Sequence, residues 1–180
     1  MGSIDTKRRI AGNLKEMMRH KSLTNITVVD ICTTCGINRR TFYYHFTDRL
    51  DLLCWIMLED LASMGFLQEK RHWSESCMMI FSVVQQNCEF FRNILHSADR
   101  DRFVSFLFEI SLKYFHNVVG RMYTRYDPDF EEFACRFYTH GYVMTGLEWI
   151  EKGAPGTPQE LFRDLSACTE LDFQNQIAEL

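Results

Sequence analysis

The stretch TVVDICTTCGINRRTFYYHF, residues 27–46, carries the punctuation of two short helices around a tight turn. Thr27 precedes an apolar run, so its hydroxyl can cap a helix starting at Val28, while Asp30, three positions on, reaches back to the capping residue. Gly36 follows Cys35 and suits the left-handed position just past a helix end. Ile37 then turns inward, and Asn38 can cap a third helix that begins Arg39-Arg40. Two short helices joined by a glycine turn make a helix-turn-helix, whose second helix enters the major groove of DNA. Ile31, Cys35, Ile37, Phe42 and Phe46 are the expected apolar seam. A first helix runs from Asp5 to His20, where Ile10, Leu14, Met17 and Met18 form one stripe at helical spacing.

The third helix carries the chemistry. A recognition helix reads bases mainly from its N-terminal residues. Arg39 and Arg40 can each bond a guanine edge in bidentate fashion, and Thr41 offers a hydroxyl and a methyl group. These three and Tyr44 are the candidate base readers, with Asn38 at the cap. Thr27, Tyr43, His45 and Arg49 are the candidates for fixing register on the phosphates. An aromatic run such as 42–46 is usually core packing. Here Phe42 and Phe46 stand four apart and face one way, which leaves the polar-tipped residues between them facing outward.

Charge supports that reading. Residues 1–50 hold nine Lys/Arg against four Asp/Glu, a net of +5, whereas residues 51–180 hold eleven against twenty, a net of −9. A basic segment of this size is what a phosphate-binding surface requires.

Residues 27–53 closely resemble the DNA-binding domain of the tetracycline-repressor (TetR) family, from Thr27 through Asp30-Ile31, Cys35-Gly36-Ile37 and Thr41-Phe42-Tyr43-Tyr44-His45-Phe46 to Leu52-Leu53. The family pattern is a Tyr-any-His-Phe run, a Lys a few residues later and paired aliphatics; Arg49 stands at the Lys position. Cys32 and Cys35 replace the usual alanines and Arg40 a frequent glycine, departures that bear on operator sequence more than on fold. The resemblance implies an all-α protein: a helix-turn-helix domain over 1–47 and a helical regulatory and dimerisation domain over 48–180. It implies a homodimer on a pseudo-palindromic double-stranded operator, a repressor released by an effector. Asn38-Arg39, Trp55-Ile56 and the pattern Tyr142, Gly146, Trp149-Ile150, Gly153, Pro158 further resemble the DhaS-like branch, regulators of dihydroxyacetone kinase genes. That branch admits activation, or action through a protein partner, as the alternative; it does not carry a ligand identity over.

The rest of the chain reads as helices too apolar for one exposed face. Asp48, with Asp51 at N3, can start a long helix through Leu52, Leu53, Trp55, Ile56, Leu58, Leu61 and Met64, a lever shared by both domains. Segments 74–86 and 88–96 read as shorter helices. From Arg100 to Tyr123 the residues Phe103, Phe106, Leu107, Ile110, Tyr114, Phe115, Val118 and Met122 form a broad apolar stripe, and a helix apolar nearly all round belongs in a core centre. Asp127-Pro128 marks a break, with Pro128 suited to a first helical turn, and another long helix is expected from Asp129 to Lys152, where Gly141 and Gly146 suggest close approach of a second helix backbone. Gly153 ends it, and Thr157-Pro158-Gln159-Glu160 is a capping box for a last helix with Leu161, Phe162, Leu165, Cys168 and Phe173. Candidate effector-lining residues are Phe103, Phe106, Ile110, Tyr114, Phe137 and His140. Candidate dimer contacts are Tyr142, Gly146, Trp149, Ile150, Leu161 and Leu165, on two closing helices suited to an intersubunit four-helix bundle.

Other chemistries fare worse. Cys32-Thr33-Thr34-Cys35 has the spacing of a redox dithiol or half a zinc site, but no second ligand pair lies at suitable spacing, so buried packing is the expectation and a thiol switch the alternative. The six histidines show no motif joining one to a nucleophile and an orienting acid, so neither catalysis nor a cofactor is expected. No stretch reaches the roughly 18 apolar residues that span a bilayer, and the N-terminus lacks a secretory pattern. A cytoplasmic chain with reduced thiols is the expectation.

Overall fold

The computed structural model describes the backbone of residues 3–65, 73–122 and 127–177, and the side chains of 3–65, 73–117 and 127–168. Within these the chain is helical throughout: α1 (Ser3–His20), a 3-10 turn (Leu23–Asn25), α2 (Val28–Cys35), α3 (Arg39–His45), α4 (Arg49–Ser63), α5 (Trp73–Gln86), α6 (Cys88–Leu95), α7 (Arg100–Met122), α8 (Pro128–Glu151) and α9 (Pro158–Ile177). None of the described helices is long and apolar enough to cross a membrane. Tyr123, the side chains of Val118 and Met122, and that of Phe173 lie outside the described residues.

The caps fall where local chemistry puts them. Thr27 and Asp30 form a reciprocal capping box at α2, Asn38 accepts the Thr41 N–H at α3, and Asp48 accepts the Asp51 N–H at α4. Asp127 caps α8 with Pro128 at its first position. At α9 the Glu160 carboxylate accepts the Thr157 N–H at 2.8 Å, while Thr157 Oγ1 accepts the Glu160 N–H at 3.2 Å. Each supplies acceptors to helix N–H groups that lack intrahelical partners.

One core runs through head and body. Ile10 and Leu14 of α1, Ile31 of α2 and Phe42 of α3 pack, with Phe46, into the cluster that continues through Leu52, Leu53 and Ile56 of α4, Phe91 and Ile94 of α6, Phe103 of α7 and Leu147 of α8. A smaller cluster around Cys77, Phe81, Trp149 and Ala154 receives Leu161, Phe162 and Leu165 from α9. α7 packs most extensively on α8, and α5 on α9.

Two expectations change. α7 is not the core centre: among its described residues only Phe103 and Phe115 are buried, and Asp101, Arg102, Ser105, Glu109 and Lys113 give it a solvated polar stripe. Nor do Gly141 and Gly146 mark a close backbone approach. A Cβ at Gly141 would meet nothing within 4 Å, and one at Gly146 would meet only the Phe81 ring edge at 3.9 Å.

Candidate nucleic-acid interface and effector cavity

The turn between α2 and α3 depends on Gly36, whose φ of +62° lies in the left-handed region. It delivers α3 with two opposed faces. Phe42 and Phe46 point inward, 0% and 2% exposed, with ring centroids 5.9 Å apart. Outward stand Arg39 and Arg40, both exposed, with Tyr43 and Tyr44 at 49% and 79% exposure. Thr41 is half-buried, and its hydroxyl donates to Asn38 Oδ1 at 3.1 Å, so it offers its methyl group and lone pairs to a partner. His45 is half-buried beside Tyr44, ring centroids 4.9 Å apart. Thr27 is exposed at the start of α2, its hydroxyl donating to Asp30 Oδ2 at 2.8 Å. The Thr27 backbone N–H and hydroxyl hold the Asp30 carboxyl below its usual range.

Much of the head's positive charge is matched within the chain. Arg8 pairs with Glu59, Lys15 with Asp60 and Arg19 with Glu16, while Lys7 lies over the rings of Phe46 and Trp55. Arg49 corrects the sequence expectation. It does not present its charge to phosphates: its Nε and Nη2 bind Asp99 Oδ2 at 2.8 and 2.6 Å, and its Nη1 donates to the carbonyl oxygens of Leu23 and Ile26. Among the described residues Arg39 and Arg40 show no ion-pair partner, as do the exposed Arg9 and Lys21, so two of the cations left for an external anion sit on the row that reads outward.

The cysteines of the head are both buried. Burial pushes the thiols of Cys32 and Cys35 up, which keeps them protonated and poorly nucleophilic at neutral pH. Among the described residues no three His, Cys, Asp or Glu side chains converge as a metal site would.

Inside the body, α4 to α8 enclose a cavity of about 200 Å³. Met57, Leu58 and Leu61 form its α4 side, Ile80, Phe81 and Val84 its α5 side, and Ile110, Ser111, Tyr114, Tyr142, Val143, Gly146 and Ile150 its α7 and α8 sides. Among the described residues no Asp, Glu, Lys, Arg or His lines it. The polar side-chain groups among its described lining residues are the hydroxyls of Ser111, Tyr114 and Tyr142 and the Cys77 thiol, which burial pushes up to about 12. Tyr114 donates to the Trp73 carbonyl at 3.4 Å, and burial raises its phenol.

Of the expected effector-lining residues, Ile110 and Tyr114 are there. Phe103 is instead in the main core and Phe106 packs against that core. Phe137 is 56% exposed. His140 is exposed, its Nδ1 2.8 Å from the Arg136 carbonyl and its ring against Phe108. Of the expected dimer contacts, Tyr142, Gly146 and Ile150 line the cavity. Trp149 is 6% exposed, its Nε1 donating to the Pro155 carbonyl at 2.7 Å. Leu161 and Leu165 pack half-buried on its cluster. α8 shows solvent a different row, Phe130, Phe133, Phe137 and Met144, 41%, 64%, 56% and 45% exposed. Its spacing was a readable signal; the lining from α4 and α5 left none, because a cavity is created by packing.

Known proteins agree with this architecture. The TetR-type family model described as "Transcriptional regulator C-terminal region" matches residues 71–170, more than half the chain. The HTH-type dhaKLM operon transcriptional activator DhaS of Lactococcus lactis subsp. lactis (strain IL1403) is 30% identical over 93 residues, 51% of this chain and 50% of that protein. The aligned part thus spans about half the length of the curated relative. A solved structure described as the dihydroxyacetone kinase operon activator DhaS shares the fold at a TM-score of 0.73, with 21% identity, covering 94% of this chain and 96% of that one. With a head that turns Arg39, Arg40 and Tyr44 outward and a body that matches the regulator family over residues 71–170, the chain belongs to the TetR family of transcriptional regulators.

Proposed function

We propose that this chain is a DNA-binding regulator that acts as a homodimer on a pseudo-palindromic operator, in the cytoplasm beside the chromosome, and that it performs no catalysis. The observation that carries the reading is the row Arg39, Arg40 and Tyr44, exposed on a helix anchored from behind by Phe42 and Phe46. Arg39 and Arg40 read base edges with Thr41 and Tyr44, while Tyr43, His45, Thr27 and Asn38 fix the register on the backbone. Two such heads bind half-sites about one helical turn apart, or a multiple of it.

The effector in this reading is small, uncharged and mostly apolar. A cavity of about 200 Å³ without a charged lining residue among those described is of the order of the ~150 Å³ apolar cavity that binds benzene. A triose would leave several oxygens without partners there, at a cost of about 1–3 kcal/mol each. Because α4 lines the cavity and also leads out of the head, an occupant that prefers a shifted α4 lowers DNA affinity, whereas one indifferent to it shifts nothing. Repression is what the resemblance to the TetR family implies. Both similar proteins are named activators, which favours activation as the second reading; the sign follows from where the operator lies relative to the promoter.

Selection of bound fragments from random duplex DNA tests the proposal. A pseudo-palindrome should emerge. Arg39→Ala should cost about 1–3 kcal/mol on it and relax preference at one position per half-site, whereas Tyr43→Phe should weaken all sequences alike. Absence of any enriched duplex, or unchanged binding in both variants, overturns the reading. A reporter read with the operator upstream of and then overlapping the promoter separates activation from repression.

A further inference from the structure

Arg49, the first residue of α4, occupies a position where a phosphate contact is the obvious use, yet its side chain is 19% exposed and its guanidinium ties α4 to two other parts of the chain. Nε and Nη2 lie on Asp99, in the turn between α6 and α7. Nη1 holds the Leu23 and Ile26 carbonyls, which bracket the 3-10 turn leading from α1 to α2. The same connection is gripped from α6. Asn93 Oδ1 accepts the Leu23 N–H at 2.7 Å, and Asn93 Nδ2 donates to the carbonyls of Met18 and Lys21 at 3.1 and 3.2 Å. Leu23 and Ile26 are themselves wholly buried. The head therefore cannot tilt on the body without breaking charge-assisted hydrogen bonds away from bulk water, the kind that cost most to lose.

Rigidity at this joint has a consequence for DNA. Adding one base pair between half-sites moves one of them by about 3.4 Å along the duplex and turns it by about 35°. A dimer with loosely hung heads can follow such a change, whereas one with fixed heads cannot. We propose that Arg49, held in place by Asp99 while it grips the Leu23 and Ile26 carbonyls of the head, is a specificity determinant that acts on spacing: it fixes head orientation, and so sets which half-site separation the dimer accepts. This rests on the operator reading above. Arg49 and Asp99 are positioning residues, since they act through the head and touch no base.

The test uses the full-length chain and the selected operator, with one or two base pairs inserted into or removed from its centre. The wild type is expected to lose about tenfold or more in affinity per base pair of altered spacing. Asp99→Asn should keep optimal-spacing affinity within about tenfold but reduce the spacing penalty below about threefold. Asp99→Glu keeps the charge on a longer arm and serves if the Asn variant fails to fold; it should broaden the profile or move its optimum. Arg102→Ala removes the exposed Arg102–Asp48 pair, leaves every hydrogen bond of Arg49 in place and should leave the profile native. A native spacing profile in a folded Asp99 variant overturns the inference while leaving DNA binding intact. So does an equal broadening in Arg102→Ala. Failure of the wild type to bind any selected duplex removes the operator reading, and the inference with it.

Discussion

Gly36 makes the cleanest case at the scale of single residues. Its φ of +62° is strained for any L side chain, yet nothing lies within 4 Å of where a Cβ would stand. A substitution there meets no neighbour, so its cost is a backbone cost alone. Gly36→Ala is expected to lower stability by about 1–2 kcal/mol, read as a shifted urea midpoint with an unchanged slope, while the folded fraction binds operator normally. A larger loss, or lost DNA affinity in folded protein, would mean that α3 had moved. Gly36, like Thr27, Asn38 and Asp48, was legible because such rules act over three or four residues. Arg49 was not: its partners lie 23, 26 and 50 positions away, and no local pattern distinguishes an arginine awaiting a phosphate from one already holding a carboxylate.

For whole helices the sequence conveys existence better than phase. The caps and Gly153 delimit α8 to within a residue or so, but a helix with Phe130, Phe133, Phe137, Tyr142, Leu147 and Ile150 around its circumference is apolar in every direction. Which side meets the body is decided by α5 and α7, so Tyr142, Gly146 and Ile150, read from the sequence as seam residues, turned up in the cavity wall and Trp149 in a core cluster. Gly146 tests that placement. With Phe81 at ordinary contact distance from where a methyl group would stand, Gly146→Ala should stabilise by about 1 kcal/mol through helix propensity, raising Tm by about 2–4 °C. The added methyl also takes volume from the cavity, so an apolar occupant should bind more weakly. A fall in Tm would show that α5 and α8 come closer than the 3.9 Å contact allows.

At the scale of the whole molecule, the two ends of the mechanism meet in the outer face of α8. Phe133 and Phe137 stack with centroids 6.5 Å apart, and Phe130 and Met144 extend the row along the helix. Aromatic side chains of this kind each bury about 150–250 Å² when covered. A row this exposed on one helix fits a self-complementary contact in which two copies of α8 cross. Two-fold symmetry makes each substitution act twice, and a carboxylate there would lie beside its own copy without a counter-charge. Phe133→Glu is therefore expected to yield a monomer by sedimentation at micromolar concentration, with helical content intact because the side chain is 64% exposed and stacks on Phe137 of its own helix rather than filling the core. Operator affinity should fall at least about a hundredfold, since the second head then binds as an independent molecule and loses its effective concentration. Binding to an isolated half-site should be unchanged. If Phe133→Glu sediments as a dimer, the subunits meet elsewhere, and the half-site spacing is set by a different face of the body.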